Sequence, residues 1–234
     1  MARTALVLSA GGLFGAYQAG VWKALADRFD PDLIVGASIG ALNGWAIAGR
    51  CDPDELIQRW LRPQPLSSWG VRRAIREIHE RYQPRIEYGA VVTDALRLRP
   101  KLVRDVSWRH LVASAAIPGL SPPPRIDGRY YCDGGLLCAL PLWAAVEMGA
   151  ERIVAINALP VMPNAIVRNL AGAIRRLARF RPIVPESIEV IHIAPSEPLG
   201  SVKDALYWNR ENAERWIKCG THIPACVFET LNGR

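Results

Sequence analysis

Leu33-Ile34-Val35-Gly36-Ala37-Ser38-Ile39-Gly40 is the stretch on which the fold turns, and Ala41-Leu42-Asn43-Gly44-Trp45-Ala46-Ile47-Ala48 completes it. A short apolar run enters Gly-x-Ser-x-Gly, and small and apolar residues with helical character leave it. Strand, Gly-x-Ser-x-Gly and helix in that order form a nucleophile elbow, a sharp turn that lifts a serine hydroxyl above a parallel sheet. Side chains at Gly36 or Gly40 would clash with the neighbouring strand or helix. The pentapeptide alone arises by chance in about one chain of this length in ten. Its position between strand and helix makes Ser38 a candidate nucleophile.

Working outward, the pattern alternates. Ala5 to Ser9 reads as a strand, and Ala16 to Phe29 as a helix with Tyr17, Val21, Leu25 and Phe29 at helical spacing. Asp32 to Val35 is the second strand. Asp52-Pro53-Asp54-Glu55 opens a helix, with Asp52 as cap, Pro53 at the first position and Glu55 where a capping box places it. Val71 to Tyr82 is a helix with a basic face. Ala90 to Thr93 and Lys101 to Arg104 are strands, and Trp108 to Ala116 is a helix stopped by Pro118. Pro141 to Met148 is a helix, Arg152 to Asn157 and Ile188 to Ile193 are strands, and Val202 to Cys219 is a last long helix. The alternation predicts an α/β fold, a three-layer α/β/α sandwich with a mainly parallel central sheet. No internal repeat is visible, and residues 1–234 read as a single domain.

Composition agrees. The 234 residues are 50% hydrophobic and 22% charged, enough for a full core and too few charges for disorder. No apolar run reaches the roughly 20 residues of a membrane span. The apolar run after Arg3 is too short for a signal peptide and reads as a core strand. The five cysteines show no C-x-x-C spacing, so neither a metal site nor a disulfide framework is expected. Reduced thiols and the lack of a targeting signal point to a cytoplasmic location. The net charge of +7 is carried mainly by arginine and suits an anionic membrane or substrate. Base-stacking aromatics are not interleaved with it, which argues against nucleic acid.

A serine hydroxyl needs a base within hydrogen-bond reach and donors for the oxyanion. Ser9-Ala10-Gly11-Gly12-Leu13-Phe14-Gly15, between the first strand and helix, can turn backbone N–H groups toward an anion. Dinucleotide binding is a poor reading, because Ala10 takes the first glycine position of G-x-G-x-x-G. Tyr130-Tyr131-Cys132-Asp133-Gly134-Gly135 supplies a carboxylate, although Asp-Gly-Gly by itself is usually a turn.

Together the three segments resemble the patatin-like phospholipase family. Leu6 to Gly12 with Gly15 to Val21 looks like its oxyanion loop and following helix, and Gly36 to Gly40 like its elbow. Ala113-Ser114-Ala115-Ala116-Ile117-Pro118-Gly119, Ile126-Asp127-Gly128 and Asp133-Gly134-Gly135 look like the run carrying its catalytic aspartate, continued by Pro141 and the Ala144 to Gly149 helix. The resemblance covers most of the chain. It implies a Ser-Asp dyad: Ser38 attacks an ester carbonyl, Asp133 takes its proton, and the N–H groups of Gly11, Gly12 and Leu13 hold the oxyanion. Gly15, Gly36, Gly40, Gly134 and Gly135 support the motifs, and no cofactor or metal is required. The dyad demands a carboxylate with a raised pKa, expected from desolvation near Tyr130, Tyr131 and Cys132.

Two positions depart from the family pattern. Ala10 replaces the first loop glycine, and Phe14 stands where the family places Arg or Lys, which puts phospholipid head-group recognition in question. His79, His110, His192 and His222 could in principle form a triad, but each has a simpler reading. His79 and His110 read as surface residues, His192 as a core histidine and His222 as a loop residue. Ile166 to Phe180 is a basic amphipathic helix, with Ile166, Val167, Leu170, Ile174, Leu177 and Phe180 on one face and Arg168, Arg175, Arg176 and Arg179 on the other. It packs on the core or forms a lid or membrane-surface excursion within residues 160–185. Three functions use these residues: a lipid acyl hydrolase, an acyltransferase or thioesterase on the same dyad, and a catalytically impaired lipid-binding module.

Overall fold

The computed structural model of the chain describes residues 2–65, 67–160, 165–178 and 180–231. The element order is β1 (Thr4–Leu8), α1 (Gly15–Leu25), β2 (Leu33–Ala37), α2 (Ile39–Ala48), α3 (Pro53–Trp60), α4 (Ser68–Arg81), β3 (Glu87–Asp94), β4 (Arg99–Val103) and α5 (Trp108–Ser114). It continues with β5 (Arg125–Ile126), β6 (Arg129–Cys132), α6 (Leu142–Glu147), β7 (Arg152–Ile156), α7 (Ala165–Ala178), β8 (Glu189–Ile193), α8 (Val202–Leu206), α9 (Arg210–Thr221) and α10 (Ala225–Leu231).

The strands order as β5-β6-β3-β2-β1-β7-β8, with β4 also paired to β3. The contacts of β1 with β2 and β7, of β2 with β3, and of β7 with β8 are parallel. Antiparallel pairing is confined to one end, where β3 meets β4 and β6. The three-layer, mainly parallel sandwich read from the sequence is the observed fold. Side-chain alternation explains its layers. Leu6 and Leu8 of β1 pack with Ile34, Val154 and Ile156 beneath α1, α2 and α9. Ala5 and Val7 face the other way, with Leu33, Val35, Ile153 and Ala155 against α6.

Several elements depart from expectation. α1 ends at Leu25, four residues short of Phe29. The last long helix is two, because Ser201 caps α8 and Asn209 starts α9 by accepting the Asn212 N–H. The β5–β6 hairpin and α10 have no counterpart in the sequence pattern. Asp52 caps α3 as read, but Glu55 turns to the Tyr82 hydroxyl instead of closing a capping box. His192 is exposed, since β8 sends Ile191 and Ile193 inward and its alternate residue outward. His79 and His110 are half-buried. One stacks on Trp45 at 4.6 Å and the other receives the Ser107 N–H.

α7 is the crossover from β7 to β8. Leu177, assigned to its apolar face, is 74% exposed, while Phe180 meets Trp143 of α6 edge-on at 5.6 Å. The side chains of Ile166, Val167, Arg168, Leu170 and Arg179 lie outside the described residues.

Candidate active site

The site forms because two strands share one edge of a third. β4 covers one edge of β3 from Ala90 to Asp94, so β2 and β6 must both use the other. β2 pairs up to Ala37 opposite Val91, and β6 takes over with Cys132 opposite Thr93. The two strands run toward one another. The residues that leave their carboxyl ends, Ser38 and Asp133, therefore meet over the same short interval of β3.

Ser38 sits in the turn between β2 and α2 with φ 55° and ψ −126°, a conformation that costs a non-glycine residue about 1–3 kcal/mol. Its flanking glycines are sterically enforced. A Cβ on Gly36 would collide with the Gly40 carbonyl, and one on Gly40 with the carbonyl oxygens of Leu8 and Ser9. The Ser38 Oγ donates to Asp133 Oδ2 at 2.6 Å, and both residues are buried.

Asp133 is fixed on every side. Its Oδ1 accepts the Gly135 N–H at 2.8 Å, its own N–H donates to the Ala116 carbonyl, and its carbonyl accepts the Thr93 hydroxyl. Burial raises its pKa from the usual 3.8 to about 6, opposed by the hydrogen bonds from Ser38 and Gly135. Tyr131 and Cys132 are buried beside it, whereas Tyr130 is 42% exposed and stands away from the desolvated wall. Gly134 lies against Val91, where a Cβ would strike the Val91 carbonyl. Gly135 leaves room for the methyl of Ala10, so the residue that departs from the glycine pattern is accommodated opposite a glycine.

Ser9 to Gly15 wraps over the carboxyl end of β1 into a 3-10 turn at Gly12–Phe14. Among the described residues, the N–H groups of Gly11, Gly12 and Leu13 donate to no protein acceptor. Gly12 and Leu13 line the same cavity as Ser38. Gly12 has φ 56° and abuts the Ala205 carbonyl of α8. Phe14 is 1% exposed and packs edge-on against Trp216 at 5.0 Å. An aromatic anchor in the core thus holds the loop where the family pattern has a cation. Gly15 lies against Ile39 and Trp60.

A cavity of about 390 Å³ opens from Ser38. It runs between α2 and α4. Ile39, Leu42 and Ala46 form one wall, and Val71, Ala74, Ile75 and Ile78 the other, with Leu56 and Trp60 of α3 alongside. The α2 wall extends about 10 Å, the seven steps from Ile39 to Ala46 at roughly 1.5 Å rise each. Arg59 and Arg62 also line the cavity. Its shape and apolar lining suit one extended alkyl chain.

Four polar residues in the site carried no role in the sequence reading. The Ser114 hydroxyl accepts the Ser38 N–H at 2.9 Å and donates to the Val91 carbonyl at 2.7 Å, while its carbonyl accepts the Gly134 N–H. It ties the Ser38 turn, the sheet and the Asp133 loop together. Asn43 donates to the Gly15 carbonyl and to Gln18 Oε1, and accepts from Trp60 Nε1. Gln18 donates to the Ser9 carbonyl, and the Ser9 hydroxyl accepts the Ala158 N–H. A signal for Asn43 is present in the sequence, since it is the lone polar residue of α2, while Gln18 shares α1 with Lys23. No histidine lines the cavity among the described residues.

These features coincide with those of one class of proteins. The family model of the patatin-like phospholipases matches residues 6–104 and 102–146, which include Ser38, Asp133 and the glycine loop. The chain belongs to the patatin-like phospholipase family. An uncharacterised NTE family protein of Mycobacterium bovis is 34% identical over 179 residues, covering 66% of this chain and 49% of the relative. The human patatin-like phospholipase domain-containing protein 6 is 32% identical over 180 residues, covering 65% of this chain and 13% of that protein. The chain thus spans about half, or much less, of the length of these relatives. The crystal structure of VipD from Legionella pneumophila shares the fold, with a TM-score of 0.57, 13% identity, and coverage of 98% of this chain and 67% of that one.

Proposed function

We propose that the protein is a serine lipid acyl hydrolase that cleaves carboxylic esters through Ser38 and Asp133. The observation that carries this reading is the 2.6 Å hydrogen bond from the Ser38 hydroxyl to a buried carboxylate of raised pKa, at the head of an apolar groove. Family membership supports the same substrate class.

The acyl chain lies in the α2–α4 groove with its carbonyl at Ser38. As Oγ attacks, its proton passes to Asp133 Oδ2, and the carbonyl oxygen becomes an oxyanion. The free N–H groups of Gly11, Gly12 and Leu13 receive that charge, each worth about 3 kcal/mol of transition-state stabilisation. Collapse expels the alcohol, which takes the proton from Asp133, and leaves an acyl-serine. Asp133 then accepts a proton from water as it attacks the acyl-serine. Collapse of the second intermediate returns that proton to Ser38 Oγ and releases the fatty acid. A pKa near 6 leaves Asp133 ionised at neutral pH yet more basic than an ordinary carboxylate.

Turnover of a series of chromogenic esters of increasing chain length tests the proposal. Wild type is expected to hydrolyse them, and Ser38→Ala and Asp133→Asn to fall at least ~10³-fold. Equal rates in all three proteins would refute it. Release of free fatty acid in the presence of an added alcohol separates hydrolysis from acyl transfer, and hydrolysis is the expected outcome.

A further inference from the structure

We infer that the carboxyl edge of the sheet is a docking face for an anionic bilayer. This rests on the lipid-hydrolase reading, which places a membrane-derived substrate in the Ser38 groove. Seven large hydrophobic side chains stand exposed among the described residues, and five of them lie in or next to segments at the carboxyl end of the strands. Trp69, 71% exposed, is in the first turn of α4 between the cavity-lining Pro65 and Val71. Leu120, 59% exposed, follows Ile117, and Tyr207, 57% exposed, follows Leu206, both cavity residues. Leu96 tips the turn after β3, and Tyr130 stands on the hairpin that leads down to Asp133. Arg72 donates to the Pro122 carbonyl and so ties the Trp69 and Leu120 segments together. Trp69, Leu120 and Tyr207 thus flank residues that line the groove, and Leu96 and Tyr130 extend the exposed apolar surface along the same edge.

The charge of this edge selects the occupant. Arg73 lies over the Trp69 ring at 5.8 Å and Arg125 over Tyr130 at 5.9 Å. Arg97 is exposed beside Leu96, Arg129 on the hairpin, and Arg62 at the cavity. Of the acidic groups at the same edge, Glu77 pairs with Arg73, Asp94 with Arg129, and Asp204 with Ser201 and Asn212, while Asp127 is exposed in the hairpin turn. Arg62, Arg97 and Arg125 have no carboxylate partner among the described residues. Tryptophan and tyrosine partition to the bilayer interface, and arginines beside them pair with anionic head groups. A bilayer seated here would deliver an acyl chain directly into the groove. The other two exposed apolar residues, Leu177 and Ile183, lie at the end of α7 and on the segment that leads from it into β8.

The test is co-sedimentation of the full chain carrying Ser38→Ala with vesicles of phosphatidylcholine, alone or with about 30% phosphatidylglycerol. Binding to the anionic vesicles is expected to be at least ~10-fold stronger, and to weaken as salt is raised. The combined substitution Trp69→Ala, Leu120→Ser, Tyr207→Ser should lower it by ~10-fold or more, and Arg73→Gln, Arg97→Gln, Arg125→Gln by a similar factor. Arg50→Gln, Arg85→Gln at the opposite edge should leave it unchanged. With Ser38 intact, the same surface variants should hydrolyse a soluble short-chain ester at the wild-type rate, which also shows that they are folded. Should the apolar variant fail to fold, the arginine variant decides. Wild-type binding by the folded surface variants, as a contact through α7 would give, overturns the proposal. So does a chain that binds neither kind of vesicle. Vesicle binding without ester turnover would instead contradict the enzymatic reading and leave the docking face standing.

Discussion

Lowering the pH should abolish the proposed ester hydrolysis well above the range of an ordinary carboxylate. Burial holds the Asp133 pKa at about 6 in place of 3.8. As pH falls through 6, Asp133 takes up a proton and the Ser38 hydroxyl loses its acceptor. At pH 5 about one-tenth of the molecules would keep an ionised Asp133, against more than about nine-tenths at the usual pKa. The value of kcat/KM for a soluble, monomeric ester should therefore drop roughly tenfold between pH 7 and pH 5, along a single-proton limb. Stability should move the other way. A carboxylate whose folded pKa exceeds its unfolded one favours the native state most below pH 3.8, and that contribution is lost as pH rises through 6. Two pKa units amount to about 3 kcal/mol. Asp133→Asn should thus raise the stability of the inactive protein at pH 8 and gain nothing at pH 4. Denaturant unfolding at the two pH values reads this directly. A kcat/KM that stays flat to pH 5 would refute the argument, and so would an Asp133→Asn variant less stable than wild type at pH 8.

Three further outcomes follow from contacts in the site. Ser114→Ala leaves the Ser38 N–H and the Val91 carbonyl without partners, so it should cost about 1–3 kcal/mol in chemical denaturation and lower kcat more than it changes KM. Gly40→Ala forces a methyl against the backbone of β1 and should destabilise by about 1–3 kcal/mol while displacing Ser38, read as a fall in both Tm and kcat. Ala46→Phe fills the groove at its end far from Ser38, so long-chain esters should lose about tenfold or more in kcat/KM while short-chain esters keep theirs.

The parts of the site that were legible in the sequence are local. The elbow announces itself because a strand, a strained turn and a helix are encoded in consecutive residues, and the glycine loop is legible for the same reason. Asp133 was recognisable only by its company, since Asp-Gly-Gly has no local mark that separates a base from a turn. What brings it to Ser38 is the shared edge of β3, with β2 and β6 pointing at each other across a gap. No periodicity within either strand encodes that pairing. Ser114 was overlooked for a similar reason, because its two hydrogen bonds reach residues 76 and 23 positions away. The break at Asn209 was legible in principle, as Asn is a strong helix cap. The continuous apolar spacing on either side concealed it. His192 reads as a core residue because its neighbours in the strand are apolar, but Ile191 and Ile193 occupy the opposite face, and on its own face of this edge strand only Val190 is covered.

Ser38 as the nucleophile, activated by Asp133, is the central claim. Labelling with a serine-directed fluorophosphonate, followed by intact-mass measurement and peptide mapping, tests it most directly. One adduct on Ser38 is predicted, none in Ser38→Ala, and labelling slower by about 100-fold or more in Asp133→Asn. An adduct elsewhere, or an Asp133→Asn protein labelled at the wild-type rate, would contradict it.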